Sequence, residues 1–126
     1  MDAKASTSPY EAYSAYLPYI RQRWLTQQVA WQRRQQEAWT AARQVAGILY
    51  RQFGAGQVIA FGSLVHPGRF GDHSDLDLAV AGIPPARFFR AWATAGAASP
   101  FELDLVDLAD CAPTLRDRIE QEGVLL

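Results

Sequence analysis

The sequence predicts a small α/β (α+β) domain: a mixed sheet with flanking helices, preceded by one long N-terminal helix. Three observations carry that reading. Short apolar or alternating segments occur at 58–61, 75–80 and 101–107, helical periodicity runs before, between and after them, and Gly- or Pro-containing breaks mark the junctions. The order is helix, strand, loop, strand, helix, strand, helix, without internal repeats, as in a small α/β sandwich. At 126 residues, 49% hydrophobic and 20% charged, the chain can bury a core of its own and is neither a disordered tail nor collagen-like. The lone Cys111 can close no intramolecular disulfide and reads as packing, and no apolar run approaches the roughly eighteen residues of a membrane span. Met1-Asp2-Ala3-Lys4 opens without the apolar core of a secretory signal, so the expected compartment is the cytoplasm.

Each element has its own signal. Ser8-Pro9-Tyr10-Glu11 combines a capping serine, a proline at the first helical position and a glutamate three residues after the cap, which starts a helix. Pro18 should end or kink that first piece, leaving a long helix from about Tyr19 to Gln52 that Gly54-Ala55-Gly56 closes. Val58-Ile59-Ala60-Phe61 is a continuous apolar run, as a buried strand should be, and Gly62 to Ser74 reads as a loop. The segments 75–80 and 101–107 alternate with period two. Between them Ile83-Pro84-Pro85 opens a helix to about Ala95, and a last helix runs from about Pro113 to Glu122, ending at Gly123.

The net charge of −1 is a sum of opposed halves. Residues 1 to 53 hold seven basic and three acidic residues, a balance of +4, and residues 54 to 126 hold five arginines and ten acids, a balance of −5. The candidate chemistry lies in the acidic half. Asp75 and Asp77 are two apart on a strand and leave its same face, while Leu76, Leu78 and Val80 turn into the core. Asp104 holds the matching position on the next strand between Leu103 and Leu105. If these strands pair, three carboxylates converge, and their repulsion favours a cation among them. Oxygen-only ligands suit Mg²⁺, which takes one or two carboxylates and fills its shell with substrate phosphates; two ions could clamp both oxygens of an in-line phosphoryl displacement. On its own an Asp-x-Asp pair marks no more than a solvated strand face. Gly62-Ser63, directly after a buried strand and ahead of the acidic one, adds a turn whose backbone can approach a phosphate and whose hydroxyl and amides can donate to it.

Strand, Gly-Ser, loop, Asp-x-Asp, helix, then a strand with a third Asp resembles the DNA polymerase β-like nucleotidyltransferases, in particular the minimal nucleotidyltransferase (MNT) proteins. The resemblance spans about Val58 to Leu126 and includes Leu115-Arg-Asp-Arg-Ile-Glu-Gln-Glu-Gly123, which looks like the family's closing helix. It implies that Gly62 and Ser63 hold a triphosphate, that Asp75 and Asp77 ligate Mg²⁺, and that Asp104 completes the metal and catalytic site beside the acceptor hydroxyl. Two departures stand out. The eleven residues between Ser63 and Asp75 are one more than the family pattern, so the loop must bulge or be ordered differently. Leu64 replaces the basic residue that often follows Gly-Ser, leaving Arg69 as the nearest cation for the phosphates. His66 and His73 read as exposed loop residues. MNT proteins are commonly paired with a HEPN-domain RNase toxin, so the resemblance implies an MntA-type antitoxin of a HEPN/MNT pair that transfers AMP from ATP to a toxin tyrosine.

The small size fits an acceptor protein that completes the site, since larger relatives carry a second domain. Two rival readings remain. A free-standing enzyme acting on an aminoglycoside-like small molecule would need a deep pocket of its own, and a non-enzymatic antitoxin would neutralise by binding alone. The first helix bears on both. Leu17, Trp24, Trp31, Ala38 and Val45 recur every seven residues, while Gln27, Gln28, Arg34 and Gln35 interrupt the neighbouring seam. Thirty-four helical residues reach about 50 Å, beyond the width of a small domain, so part must project or fold back. Residues 38 to 53 should pack on the sheet. Residues 1–35 form an extension whose aromatics and arginines suit a protein-docking arm, ahead of a minimal catalytic domain at 36–126. Nucleic acid is the competing partner for such a helix, disfavoured by the slightly acidic chain.

Overall fold

The computed structural model describes residues 17–126. The helix expected from Ser8 lies outside that range. The long helix, α1, spans Leu17–Phe53, and Pro18 sits in its first described turn. Gly54, at φ 70°, ends the helix in the left-handed region, and the Ala55 N–H donates back to the Leu49 carbonyl at 3.0 Å. Then follow β1 (Gln57–Phe61), a 3₁₀ turn (Gly62–Val65), β2 (Leu76–Ala81), α2 (Pro85–Ala97), β3 (Leu103–Asp107), α3 (Pro113–Glu122) and a short β4 (Val124–Leu125). The expected loop thus begins with a 3₁₀ turn. The sheet gains a fourth strand that sequence patterning missed, because two exposed residues carry no period.

The strands lie in the order β3-β2-β1-β4. β1 is antiparallel to β2 and to β4, and β2 is parallel to β3, with α2 as the crossover. Side-chain alternation divides the core in two. Val58, Ala60, Leu76, Leu78, Val80 and Leu105 pack with Ala38, Ala42, Val45 and Leu49 of α1 and Ala91 and Ala95 of α2. On the opposite face Ile59, Phe61 and Ala79 pack with Ile119 of α3. Burial on both faces is why β1 reads as an unbroken apolar run. Tyr50 joins helix to sheet: its hydroxyl accepts from the Val58 N–H at 2.9 Å and donates to the Leu126 carbonyl at 3.0 Å, holding the segment after α3 against β1.

Full burial of α1 begins at Ala38. From Leu17 to Arg33 every residue but half-buried Gln28 is exposed, including Trp24 and Trp31. The apolar stripe therefore runs on, without interruption of the helix, from the core into solvent.

Candidate active site

β1 and β2 bring the candidate residues together by register. Phe61, the last residue of β1, pairs with Asp77, so the chain leaves the sheet at Gly62 directly beside that aspartate. Gly62 adopts φ 73°, a conformation that glycine alone takes readily. A Cβ at this position would collide with the Asp77 carboxylate. Two independent constraints thus require glycine here: the backbone turn and the close approach of the acidic side chain.

On the other side of β2, Asp77 pairs with Asp104 in the parallel register. The two carboxylates leave the same face as Ala79, the face that α3 covers farther along at Ile119. Asp75 lies one residue before β2, exposed, rather than within the strand as alternation suggested. It still acts on Asp77 electrostatically. The Asp77 carboxyl is pushed up from the ordinary 3.8 to about 6, first by burial and then by the charges of Asp104 and Asp75. Among the described residues the one side-chain salt bridge is His66–Glu122, so no arginine neutralises this cluster.

The donor set is oxygen-only, crowded and uncompensated, which fits a divalent cation. No three His, Cys, Asp or Glu side chains among the described residues are gathered tightly enough to close around an ion by themselves. The convergence of three carboxylates expected from the sequence is therefore only partial: Asp77 and Asp104 stand in register, while Asp75 lies outside β2.

The loop between Ser63 and Asp75 is tied to α1. Gln35 donates through Nε2 to the carbonyls of Leu64 (3.0 Å) and His66 (3.2 Å), and its Oε1 accepts from the Gly68 N–H (3.2 Å). Arg34 donates to the carbonyls of Gly71 (2.9 Å) and Asp72 (3.0 Å), and its guanidinium lies over the rings of Phe101 and Phe70, at 5.1 and 5.8 Å. Sequence reasoning placed both residues at the end of the projecting arm. Their partners are backbone groups some thirty to forty residues away, which leave no trace in side-chain pattern.

The remaining expected residues separate. Ser63 is half-buried in the 3₁₀ turn, its carbonyl accepting from the His66 N–H at 3.3 Å. Arg69 is exposed, and only its backbone is tied: its N–H donates to the His66 carbonyl at 3.1 Å. His66, expected to be exposed, is half-buried with Nε2 3.3 Å from the Glu122 carboxylate at the end of α3. His73 is exposed, as expected.

No family model matches the sequence, and no curated protein matches it significantly. Solved structures share its fold. One is a toxin-antitoxin crystal structure with AMP-PNP, 21% identical over 67% of this chain and 70% of that one, with a TM-score of 0.57. Another is a toxin-antitoxin MntA-HpeT variant with a tyrosine changed to alanine, at 22% over 67% and 69%, TM-score 0.56. A third is an MntA-HpeT variant in which two aspartates two positions apart are changed to glutamate, at 21% over 61% and 65%, TM-score 0.53. The chain therefore shares the fold of those toxin-antitoxin structures, with the α+β architecture expected from its sequence.

Proposed function

We propose that this protein is a Mg²⁺-dependent nucleotidyltransferase that moves AMP from ATP to a hydroxyl of a partner protein, the antitoxin half of a pair whose toxin is a HEPN RNase. The observation that carries the reading is the corner where Gly62, at positive φ, lies against Asp77, itself in register with Asp104. A phosphate-approaching turn meets a charge-stressed pair of carboxylates there. The neighbouring folds add support: one is described with AMP-PNP, and another carries paired changes at two aspartates with the spacing of Asp75 and Asp77.

In this reading Gly62 and Ser63 present amides and a hydroxyl to the triphosphate. Asp75, Asp77 and Asp104 would hold the metal, and Asp104 would lie beside the acceptor hydroxyl. When bound, Mg²⁺ supplies charge neutralisation for the triphosphate and the departing pyrophosphate. The chain's own contribution is alignment: β2 and β3 fix two carboxylates side by side, and the Gly62 turn fixes where the α-phosphate lies relative to them. Arg69 would meet the phosphates only by swinging in from its exposed position.

The test is to incubate the purified protein with Mg²⁺, ATP labelled at the α-phosphate and the neighbouring gene product, and to measure intact masses. AMP additions to the partner are expected, abolished in Asp77→Asn and Asp104→Asn. Undiminished transfer by both variants would overturn the assignment of the site.

A further inference from the structure

The connector from Gly62 to Asp75 leaves one candidate site element and returns to another, and two adjacent residues of α1 hold its two halves. Gln35 takes the outgoing half, with bonds to Leu64, His66 and Gly68; Arg34 takes the returning half, with bonds to Gly71 and Asp72. The Leu64 carbonyl belongs to the same 3₁₀ turn as Gly62 and Ser63, so Gln35 touches that turn from behind. A single amide uses its two N–H donors and its carbonyl oxygen at once. No other residue type of this length offers two donors to carbonyls and an acceptor to an N–H.

We infer that Gln35 is a positioning residue for the nucleotide, holding the Gly62–Ser63 turn in its phosphate-ready shape before nucleotide arrives. This rests on the nucleotidyl-transfer reading and deepens it, since Gln35 makes none of its bonds to the aspartates. The physical reason is preorganisation. An unheld turn must be ordered when the triphosphate binds, and that ordering is subtracted from affinity; once bound, the turn has the same shape. Loss of the clamp should therefore raise KM for ATP and leave kcat nearly unchanged. A residue that merely stabilised the fold would not produce that split.

Two variants isolate the effect. Gln35→Met keeps the length and removes all three bonds. Gln35→Glu keeps an acceptor for Gly68 and sets carboxylate oxygens against the Leu64 and His66 carbonyls. Gln36→Ala, at the exposed neighbouring position, is the control. Amide hydrogen exchange of the free proteins should speed about fivefold to tenfold across residues 64–72 in both Gln35 variants, with β2 and β3 unchanged. Affinity for Mg²⁺·AMP-PNP should fall by about threefold to tenfold, matched by the rise in KM for ATP, with kcat unchanged. Unchanged exchange at 64–72 overturns the clamp. Faster exchange with undiminished affinity overturns the positioning role while the nucleotide reading stands. Failure of the wild-type protein to bind Mg²⁺·AMP-PNP overturns both.

Discussion

Asp77→Asn should make the metal-free protein more stable at neutral pH while abolishing the proposed transfer. The carboxyl rises from 3.8 to about 6 on folding, so between those values the folded state holds a proton that the unfolded chain has already released. For an acid shifted upward, stability is greatest below the unfolded value, falls as pH climbs through the window from about 4 to 6, and stays lower above it. The full difference corresponds to about 3 kcal/mol, at about 1.4 kcal/mol for each pH unit. Asp77 is only partly buried, and water screens its neighbours' charges, so about 1–2 kcal/mol is the expected net effect. Asparagine has the same shape and no charge. Urea unfolding without Mg²⁺ should therefore find the variant about 1–2 kcal/mol more stable than wild type at pH 8, with the gap closing by about pH 4. Added Mg²⁺ should raise the wild-type midpoint and leave the variant's unmoved. A variant equal to or weaker than wild type at pH 8, with no pH dependence in the difference, would refute the claim that these carboxylates stress one another.

Three further outcomes follow from the packing. Gly62→Ala should cost about 1–3 kcal/mol in urea unfolding, since it meets both the positive φ and the Asp77 carboxylate, and nucleotide binding should drop with it; a neutral effect on both would remove the close approach from the account. Tyr50→Phe leaves the N–H of buried Val58 without its acceptor and frees the Leu126 carbonyl, a loss of about 1–3 kcal/mol that thermal melts should register and whose absence would show the hydroxyl to be dispensable. Deleting residues 1–32 keeps Arg34 and Gln35 and removes only exposed positions and half-buried Gln28 from the described helix; the melting temperature should stay within about 3 °C, while affinity for the proposed protein partner falls at least about tenfold. Equal affinity would mean that the arm is not the docking surface.

The site was legible where chemistry and period coincide. Asp77 and Asp104 stand out as candidates because carboxylates interrupt hydrophobic alternation, and the parallel pairing of β2 with β3 sets them side by side; Asp75 has the same spacing but lies one residue before β2. Gly62 was legible as a turn, but its second reason, the approach of the Asp77 carboxylate, belongs to the antiparallel register and appears only in three dimensions. Arg34 and Gln35 looked like breaks in an apolar seam. They are breaks because that part of the helix faces polar backbone instead of sheet. The Glu122 partner of His66 was beyond reach for the same reason: the pair lies 56 residues apart and no pattern links them. β4 is too short to show alternation, and it exists because α3 delivers the chain to the free edge of β1.

The continuity of α1 gives the molecule a fixed angular phase. Each residue of a helix adds about 100° of rotation and 1.5 Å of rise, and no described break separates exposed Trp24 and Trp31 from Gln35 and the buried face at Ala38. The direction in which the aromatic stripe points is therefore set relative to the Gly62 corner by residue count alone. One residue inserted between Gln32 and Arg33 would leave both ends chemically intact and swing the stripe by more than a quarter turn, so a partner seated on it would present its hydroxyl to the wrong side. Four inserted residues would bring the stripe back to within about 40° of its original bearing, about 6 Å farther out.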